Sequence, residues 1–288
     1  MSKNPLMQYF RKPEIYVKLP TLGRFNPEIE LTSLNEVGVC AMTAIDELSL
    51  KNPDALLNGE ALISTIQSCV PSIKNAKKLC NIDAEALFLA IQYATYGSEM
   101  THTHTCKECE ESNEFSIDIN FVLNKFPEIT EVEPVKWEDL VIHIRPASLD
   151  SITRMSIIEL EQKRIVNNVK AAQEDTDDAR IIQTMYSSFR KIAELNVILL
   201  ANAIRYIETP DGKQIEDPNY LIEFLHNIPS PVVDEINKKA SDVSKKPKDL
   251  TKFEFVCPGC EHKDVVDLEV NPVNFFVGGS KLPQTKKS

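Results

Sequence analysis

Two Cys-x-x-Cys pairs, far apart in the chain, constrain the fold of this sequence more than any other feature. Cys106 and Cys109 form the first pair, Cys257 and Cys260 form the second, and 147 residues lie between the pairs. Two residues between cysteines let one tight turn bring both sulfur atoms to a single metal ion, at about 2.3 Å, and two such turns complete a closed tetrahedral site. Gly259 is expected to permit the tight second turn. The spacing therefore predicts one shared structural zinc ion.

The sequence around each pair predicts a turn flanked by strands. Phe115–Ile119 alternates apolar and polar residues after the first pair, which is the pattern of a half-buried strand. Phe253–Val256 precedes the second pair, and Val265–Val270 follows it. This is the arrangement of a zinc ribbon, so we expect a ribbon in two halves, residues 101–121 and residues 251–277.

Other uses of the cysteines stay open at this point. Disulfides are disfavoured because the N-terminus shows no apolar signal segment, which predicts a cytosol-like compartment where thiols stay reduced. A redox dithiol is expected within a βαβ pattern, which neither pair shows. A catalytic zinc needs an open coordination position, and the neighbouring His102, His104 and His262 could each replace a thiolate.

Helical patterns dominate the rest of the chain. Ser33 and Glu36 have the spacing of a capping box, and the apolar residues that follow keep helical spacing as far as Leu48, which predicts a helix of about four turns. Strands are expected over residues 14–19 and 140–145, and a hairpin at the turn sequence Thr209–Gly212. Further helices are expected over residues 60–69, 83–95 with a C-terminal cap at Gly97, 149–170, 179–203, 218–227 and 231–243.

Together these patterns predict an α+β fold that is mostly helical, with a small, split, zinc-ribbon-like β unit and a large helical insertion. The remaining cysteines, Cys40, Cys69 and Cys80, are interpreted as structural, since buried free cysteine behaves as a small hydrophobe. Five parts are expected: an N-terminal arm with a short strand (1–32), a helical layer (33–100), the split ribbon (101–121 plus 251–277), a mainly helical insertion with a hairpin near 206–215 (122–250), and a flexible tail (278–288).

The composition disfavours several functions. The net charge is −11, whereas nucleic-acid-binding chains usually carry a basic face. No run of about 18 apolar residues is present, so no membrane segment is expected. No P-loop, dinucleotide-binding, HExxH or GxSxG motif occurs, and there are only eight glycines to build phosphate-binding loops. The sequence therefore predicts a protein that is not an enzyme.

An ordered set of short motifs resembles the baseplate hub and hub-assembly proteins of T-even-like contractile-tailed phages. The motifs, in chain order, are Lys18–Thr21, Asp83–Ile91 leading into Tyr96–Ser98, the first cysteine pair, Phe115–Ile119, the second cysteine pair, and Phe275-Phe276. They span nearly the full chain, and the four cysteines are the functional residues that carry over.

This resemblance implies a non-enzymatic viral protein that acts in baseplate assembly or stays as a hub subunit. The implied partners are other baseplate hub proteins or tape-measure proteins. The implied locations are the host cytoplasm during assembly and the virion tail baseplate. A zinc-ribbon regulator that binds nucleic acid is the alternative, because zinc ribbons often serve that role.

Overall fold

The computed structural model describes residues 5–26, 28–52, 59–171, 178–244 and 252–267. These residues form a mixed α/β fold of helices and small antiparallel sheets, which confirms the predicted class at this level. The chain divides into two compact units. Unit 1 combines Met1–Thr130 with Lys246–Ser288, and unit 2 is Glu131–Lys245. The five-part division is finer than this and stays a prediction.

The elements are numbered in chain order. The α-helices are α1 (Ala44–Leu50), α2 (Glu60–Cys69), α3 (Asn81–Tyr96), α4 (Ile119–Leu123), α5 (Leu149–Ala171), α6 (Asp178–Ala203), α7 (Pro218–Asn227) and α8 (Ser230–Ser244), with 3₁₀ helices at Pro5–Tyr9 and Ala76–Lys78. The strands are β1 (Ile15–Lys18), β2 (Glu36–Val39), β3 (Glu99–Thr105), β4 (Ser112–Asp118), β5 (Val135–Trp137), β6 (Leu140–Ile144), β7 (Ile204–Glu208), β8 (Gln214–Ile215), β9 (Lys252–Val256) and β10 (Lys263–Asp267).

Helix α3 is the central element of unit 1. Every residue from Ile82 to Gln92 is buried, so the helix is covered on all sides. It ends at the predicted cap, Gly97, whose φ of 98° and ψ of −177° lie in a region that essentially only glycine adopts. Near its start, the Asp83 carboxylate accepts the backbone N–H and the hydroxyl of Thr21 at 2.9 and 2.5 Å. The helix therefore anchors the N-terminal segment.

The helix predicted over residues 33–48 is wrong in its first half. Glu36–Val39 is strand β2, which pairs antiparallel with β1. The helix begins only at Ala44, so the segment 33–100 is not a purely helical layer. The capping box exists, but Thr43 and Asp46 form it. The predicted pair, Ser33 and Glu36, does not cap a helix, because Glu36 is the first residue of strand β2.

The sequence Val37-Gly38-Val39 explains this strand. Both valines are fully buried, whereas Glu36 and Gly38 are only partly buried, so burial has a period of two within the strand. Valine and glycine both disfavour helix. A Cβ on Gly38 would lie 2.9 Å from Cγ of Pro13, so glycine allows the N-terminal segment to approach. Asn35, with a left-handed φ of 60°, turns the chain into β2.

The hairpins β3–β4 and β9–β10 are separate two-stranded antiparallel sheets of unit 1. The strands predicted around the cysteine pairs are thus confirmed within the described residues. Strand β3 precedes the first pair, and because Met100 is its one apolar residue, no apolar alternation marks its bounds in the sequence. A cluster of buried residues, Met100, Ile117, Ile119 and Val122, packs the base of the first hairpin against Leu89 of α3. Residues 268–277 of the predicted ribbon, including Phe275-Phe276, and the tail at 278–288 lie outside the described residues.

Unit 2 is built on a four-stranded antiparallel sheet in the order β5-β6-β7-β8. Its core joins sheet residues such as Ile142 and Ile204 to Leu221 of α7 and Ile236 of α8. Gly212, with a φ of 79°, forms the predicted turn between β7 and β8. In the described part of the chain, no helix has both the length and the apolar character needed to cross a membrane.

Candidate metal centre

The structure brings the four predicted cysteines together. The Sγ atoms of Cys106, Cys109, Cys257 and Cys260 all lie within 4.8 Å of one another. The Cys106–Cys260 and Cys109–Cys257 sulfur distances are both 3.6 Å, so these contacts join one cysteine pair to the other. Four ligands at 2.3 Å from a central ion form a tetrahedron with corners about 3.8 Å apart. The sulfur positions therefore fit a four-coordinate metal ion.

The two cysteine turns have the same backbone hydrogen bonds. In each turn, the N–H of the first cysteine donates to the carbonyl five residues later, and its own carbonyl accepts the N–H four residues later, at 2.9–3.0 Å. These bonds are Cys106 to Glu111 and Glu110 to Cys106 in the first turn, and Cys257 to His262 and Glu261 to Cys257 in the second. The two halves are therefore locally equivalent, although they belong to distant parts of the sequence.

Each turn contains one residue in the left-handed conformation, directly after its second cysteine. These residues are Glu110 with a φ of 57° and Glu261 with a φ of 61°. Gly259, which was expected to permit the second turn, does not have a positive φ. A Cβ at this position would overlap the Glu111 carboxylate of the opposite turn, so glycine leaves room for that side chain.

Backbone amides and neighbouring thiols set the ionisation of the cluster. Burial raises the pKa of Cys257, but the amides of Cys260 and Gly259 and the thiol of Cys109 outweigh burial and lower it to about 7. The amide of His262 lowers the pKa of Cys260, but burial and the neighbouring thiols raise it to about 12. The Cys257 thiol thus ionises readily, and its negative charge opposes ionisation of the neighbouring Cys260 thiol. A cation at the centre would remove this opposition.

Polar side chains around the cysteines also connect the two hairpins. Lys107 Nζ donates to Oδ1 of Asp264 at 2.8 Å, and Nε2 of His104 lies 3.1 Å from Oδ2 of the same carboxylate. The hydrogen bond from Lys107 is the main cause that lowers the pKa of Asp264 to about 2. Asn113 Nδ2 lies 3.6 Å from the Cys257 sulfur, in position to donate to it. All three contacts run from the first hairpin to the second.

The structure favours cysteine over histidine as the ligand type. The ligand cluster found among the described residues consists of the four cysteines alone. His104 contacts Asp264. His102 packs edge-on against Phe115 at 5.5 Å between ring centroids, and burial lowers the pKa of its imidazole. His262 contributes its backbone to the second turn.

The three remaining cysteines are buried away from this cluster. Cys40, Cys69 and Cys80 all belong to the core of unit 1. The Cys40 amide donates to the Cys69 carbonyl at 2.8 Å, and burial raises the pKa of the Cys69 thiol to about 12. Their burial agrees with the structural role predicted for them.

Comparison with known proteins places the chain in a family. The sequence profile of the family described as T4 bacteriophage base plate protein matches residues 39–277, a range that includes both cysteine pairs and all of unit 2. No curated protein and no solved structure shows a significant match. Because the matched range covers well over half of the chain, this chain belongs to the T4 bacteriophage base plate protein family.

Proposed function

We propose that this chain is a non-enzymatic protein of the phage baseplate hub, acting as a hub subunit or in hub assembly, and that its four cysteines hold one structural zinc ion. The family match over residues 39–277 carries the baseplate part of the proposal. The convergence of four sulfur atoms within 4.8 Å supports the metal part. Four thiolates at tetrahedral spacing are a preferred ligand set for structural zinc.

The local structure supports a zinc ribbon split into two halves. Each half is an antiparallel hairpin, β3–β4 or β9–β10, with a cysteine turn between its strands. A metal ion shared by the two turns would tie Cys106 to Cys260 and stabilise the folded chain, because a structural zinc site contributes folding free energy directly. No chemistry at the metal is part of this proposal, since four cysteines already complete the coordination shell.

The exposed surface supports binding to other proteins. Four of the five residues from Leu6 to Phe10 are apolar or aromatic, and each of these four is more than half exposed: Leu6, Met7, Tyr9 and Phe10. Exposed apolar side chains grouped on a surface often mark a contact site for another protein. Other hub proteins or tape-measure proteins are the partners we expect, in the host cytoplasm during assembly and in the tail baseplate of the virion.

The charges beside the cysteine turns argue against a nucleic-acid-binding ribbon. Glu108, Glu110 and Glu111 border the first turn, Glu261 borders the second, and all four are exposed. These carboxylates would repel the phosphate groups that dominate affinity for nucleic acid. Salt-dependent binding of DNA or RNA near physiological salt would revive this alternative.

Elemental analysis of protein purified without added metal tests the zinc site. We expect one zinc per chain in the wild type and none in Cys109→Ser, whose ligand is on the exposed side of the cluster. Cys80→Ala, a change to a buried cysteine outside the cluster, is the matched control and should keep one zinc. A wild-type chain with no zinc, or with two, would contradict the shared site.

Affinity purification of the tagged chain from phage-infected cells tests the baseplate role. Hub or tape-measure proteins should be recovered with the wild-type chain. The double variant Tyr9→Ser, Phe10→Ser should recover less of them at unchanged thermal stability if the exposed segment carries the contact, because both side chains are exposed. Normal baseplate assembly in a phage that lacks this protein would refute the proposal.

A further inference from the structure

One carboxylate, Asp264, lies between the two hairpins that carry the cysteines. It belongs to β10 in the second hairpin. Its two oxygens contact Lys107 at 2.8 Å and His104 at 3.1 Å, and both of these residues belong to the first hairpin. The side chains of Asp264 and His104 are only 11% and 16% exposed, so their contact is largely shielded from water, whereas the Lys107 side chain reaches the carboxylate from the surface and is 69% exposed. The Asp264 carboxylate thus contacts two residues that lie more than 150 positions earlier in the sequence.

Aromatic side chains beside Asp264 also pack between the two hairpins. Phe255 of β9 lies edge-on to the His104 ring at 5.3 Å and packs on Phe115 of β4 at 5.2 Å, measured between ring centroids. Phe255 is buried in one cluster with Cys106 and Cys257. Ring pairs at such distances stabilise a contact beyond the area that they bury. The hairpins are therefore joined by contacts that do not involve a metal ion.

These contacts matter because the ligands come from distant parts of the chain. If the hairpins separated in the absence of metal, one pair of thiols would bind the ion first. The second pair would then have to reach the ion by diffusion of the long chain segment that connects the two hairpins. If the hairpins stay joined, all four thiols are already within 4.8 Å of one another when the ion arrives. The ion then binds in a single bimolecular step, whose rate is proportional to the metal concentration.

We propose that Asp264 is a positioning residue that holds the two cysteine hairpins together before a metal ion binds, so that the four thiols form a preassembled site. The inference rests on the proposed metal-binding function. Lys107 and His104 are the two groups through which Asp264 acts. Phe255 supplies the apolar part of the same junction, and Asp264 supplies the polar part that fixes its register.

Cobalt(II), whose thiolate complexes are coloured, is the probe for the first measurement. Metal-free full-length protein is mixed rapidly with increasing cobalt(II) and absorbance is followed. The loading rate of the wild type should rise in proportion to cobalt concentration. In Asp264→Asn the rate should level off at the rate of hairpin docking, and affinity should fall by about tenfold or more, as for other residues that support metal ligands. Glu254→Gln, an exposed change of equal charge on β9, is the control and should behave as the wild type.

Amide hydrogen exchange of the metal-free proteins gives a second measurement that needs no metal. Strands β9 and β10 should be protected in the wild type, exposed to exchange in Asp264→Asn, and intermediate in Lys107→Met, which keeps the carboxylate but removes one donor. If the wild type binds no cobalt, the metal function fails, while this comparison still tests the role of Asp264. Equal protection of wild type and Asp264→Asn, or linear cobalt loading in both, would overturn the proposal.

Discussion

At the residue scale, Asp83 shows the cost of a carboxylate in an apolar core. It is fully buried in α3, and its two oxygens accept hydrogen bonds from Thr21. Burial raises the pKa of Asp83 to about 6, although the Thr21 hydrogen bonds act in the opposite direction. The folded state therefore holds this proton more tightly than the unfolded chain, whose aspartate pKa is about 3.9.

Asp83 should make the protein less stable as the pH rises from about 4 through about 6. Above that range the folded chain must bury an ionised carboxylate, so Asp83→Asn, which cannot ionise, should gain on the order of 2–3 kcal/mol relative to the wild type between pH 4 and pH 7. Urea unfolding of both proteins at the two pH values measures this difference. Asp139→Asn, at an exposed position, controls for the loss of one charge. A difference that does not change with pH would show that Asp83 ionises normally in the folded chain.

At the scale of elements, the cysteine turns show what the sequence could predict and what it could not. The ligand spacing predicted that the two pairs meet, because neither pair alone completes a metal shell, and the structure confirms their convergence. The residue that bends each turn was not predictable. Glu110 and Glu261 adopt a left-handed backbone that glycine usually provides, and a glutamate in a sequence gives no sign of this. The carboxylate bridge at Asp264 likewise depends on long-range pairing.

Glycine at these two glutamate positions should stabilise the metal-loaded protein. Glu110→Gly and Glu261→Gly relieve a strained left-handed conformation, which should outweigh the added freedom of the unfolded chain and yield up to about 1 kcal/mol. Glu108→Gly makes the same chemical change in the same turn at a residue with ordinary φ, so it should cost roughly 0.5–1 kcal/mol. Chemical denaturation of the three variants distinguishes these effects. A loss of stability in all three would show that the glutamate side chains themselves stabilise the turns.

The incorrect helix at residues 33–48 has a different physical origin. Its apolar residues fit a helical spacing, but the burial of Val37 and Val39 has a period of two, since β2 pairs with a strand about twenty residues earlier. Local patterns cannot reveal such a partner. Helix α2, in contrast, was predicted with the bounds it has, because its apolar periodicity and the following Pro71 both act locally.

At the scale of the whole molecule, two described clusters show that each unit has a core of its own. The cluster around Ile142, Ile204 and Ile236 is drawn entirely from unit 2. The cluster around Phe255 and the cysteines is drawn entirely from unit 1. The shared site predicted from the two cysteine pairs required the chain after residue 250 to return to the hairpin that carries Cys106 and Cys109. The limits of unit 2 could not be read from the sequence, because they depend on which helices pack on which sheet.

Separate cores predict that the two units lose stability separately. Ile236→Ala empties part of the unit 2 core and should cost about 2–5 kcal/mol there, seen as faster amide exchange in β6 and β7 with β3 and β9 unchanged. Cys109→Ser, or removal of the metal by a chelator, should reverse this pattern: relative to the metal-loaded wild type, exchange should quicken in β3, β4, β9 and β10 and stay unchanged in β6 and β7. Strands β9 and β10 should keep the part of their protection that the Asp264 contacts provide. Mass-spectrometric hydrogen exchange measures both sets of strands in one experiment. Equal acceleration of all strands in either variant would mean that the chain unfolds as one cooperative unit, and that the stabilising effect of the metal centre extends to unit 2.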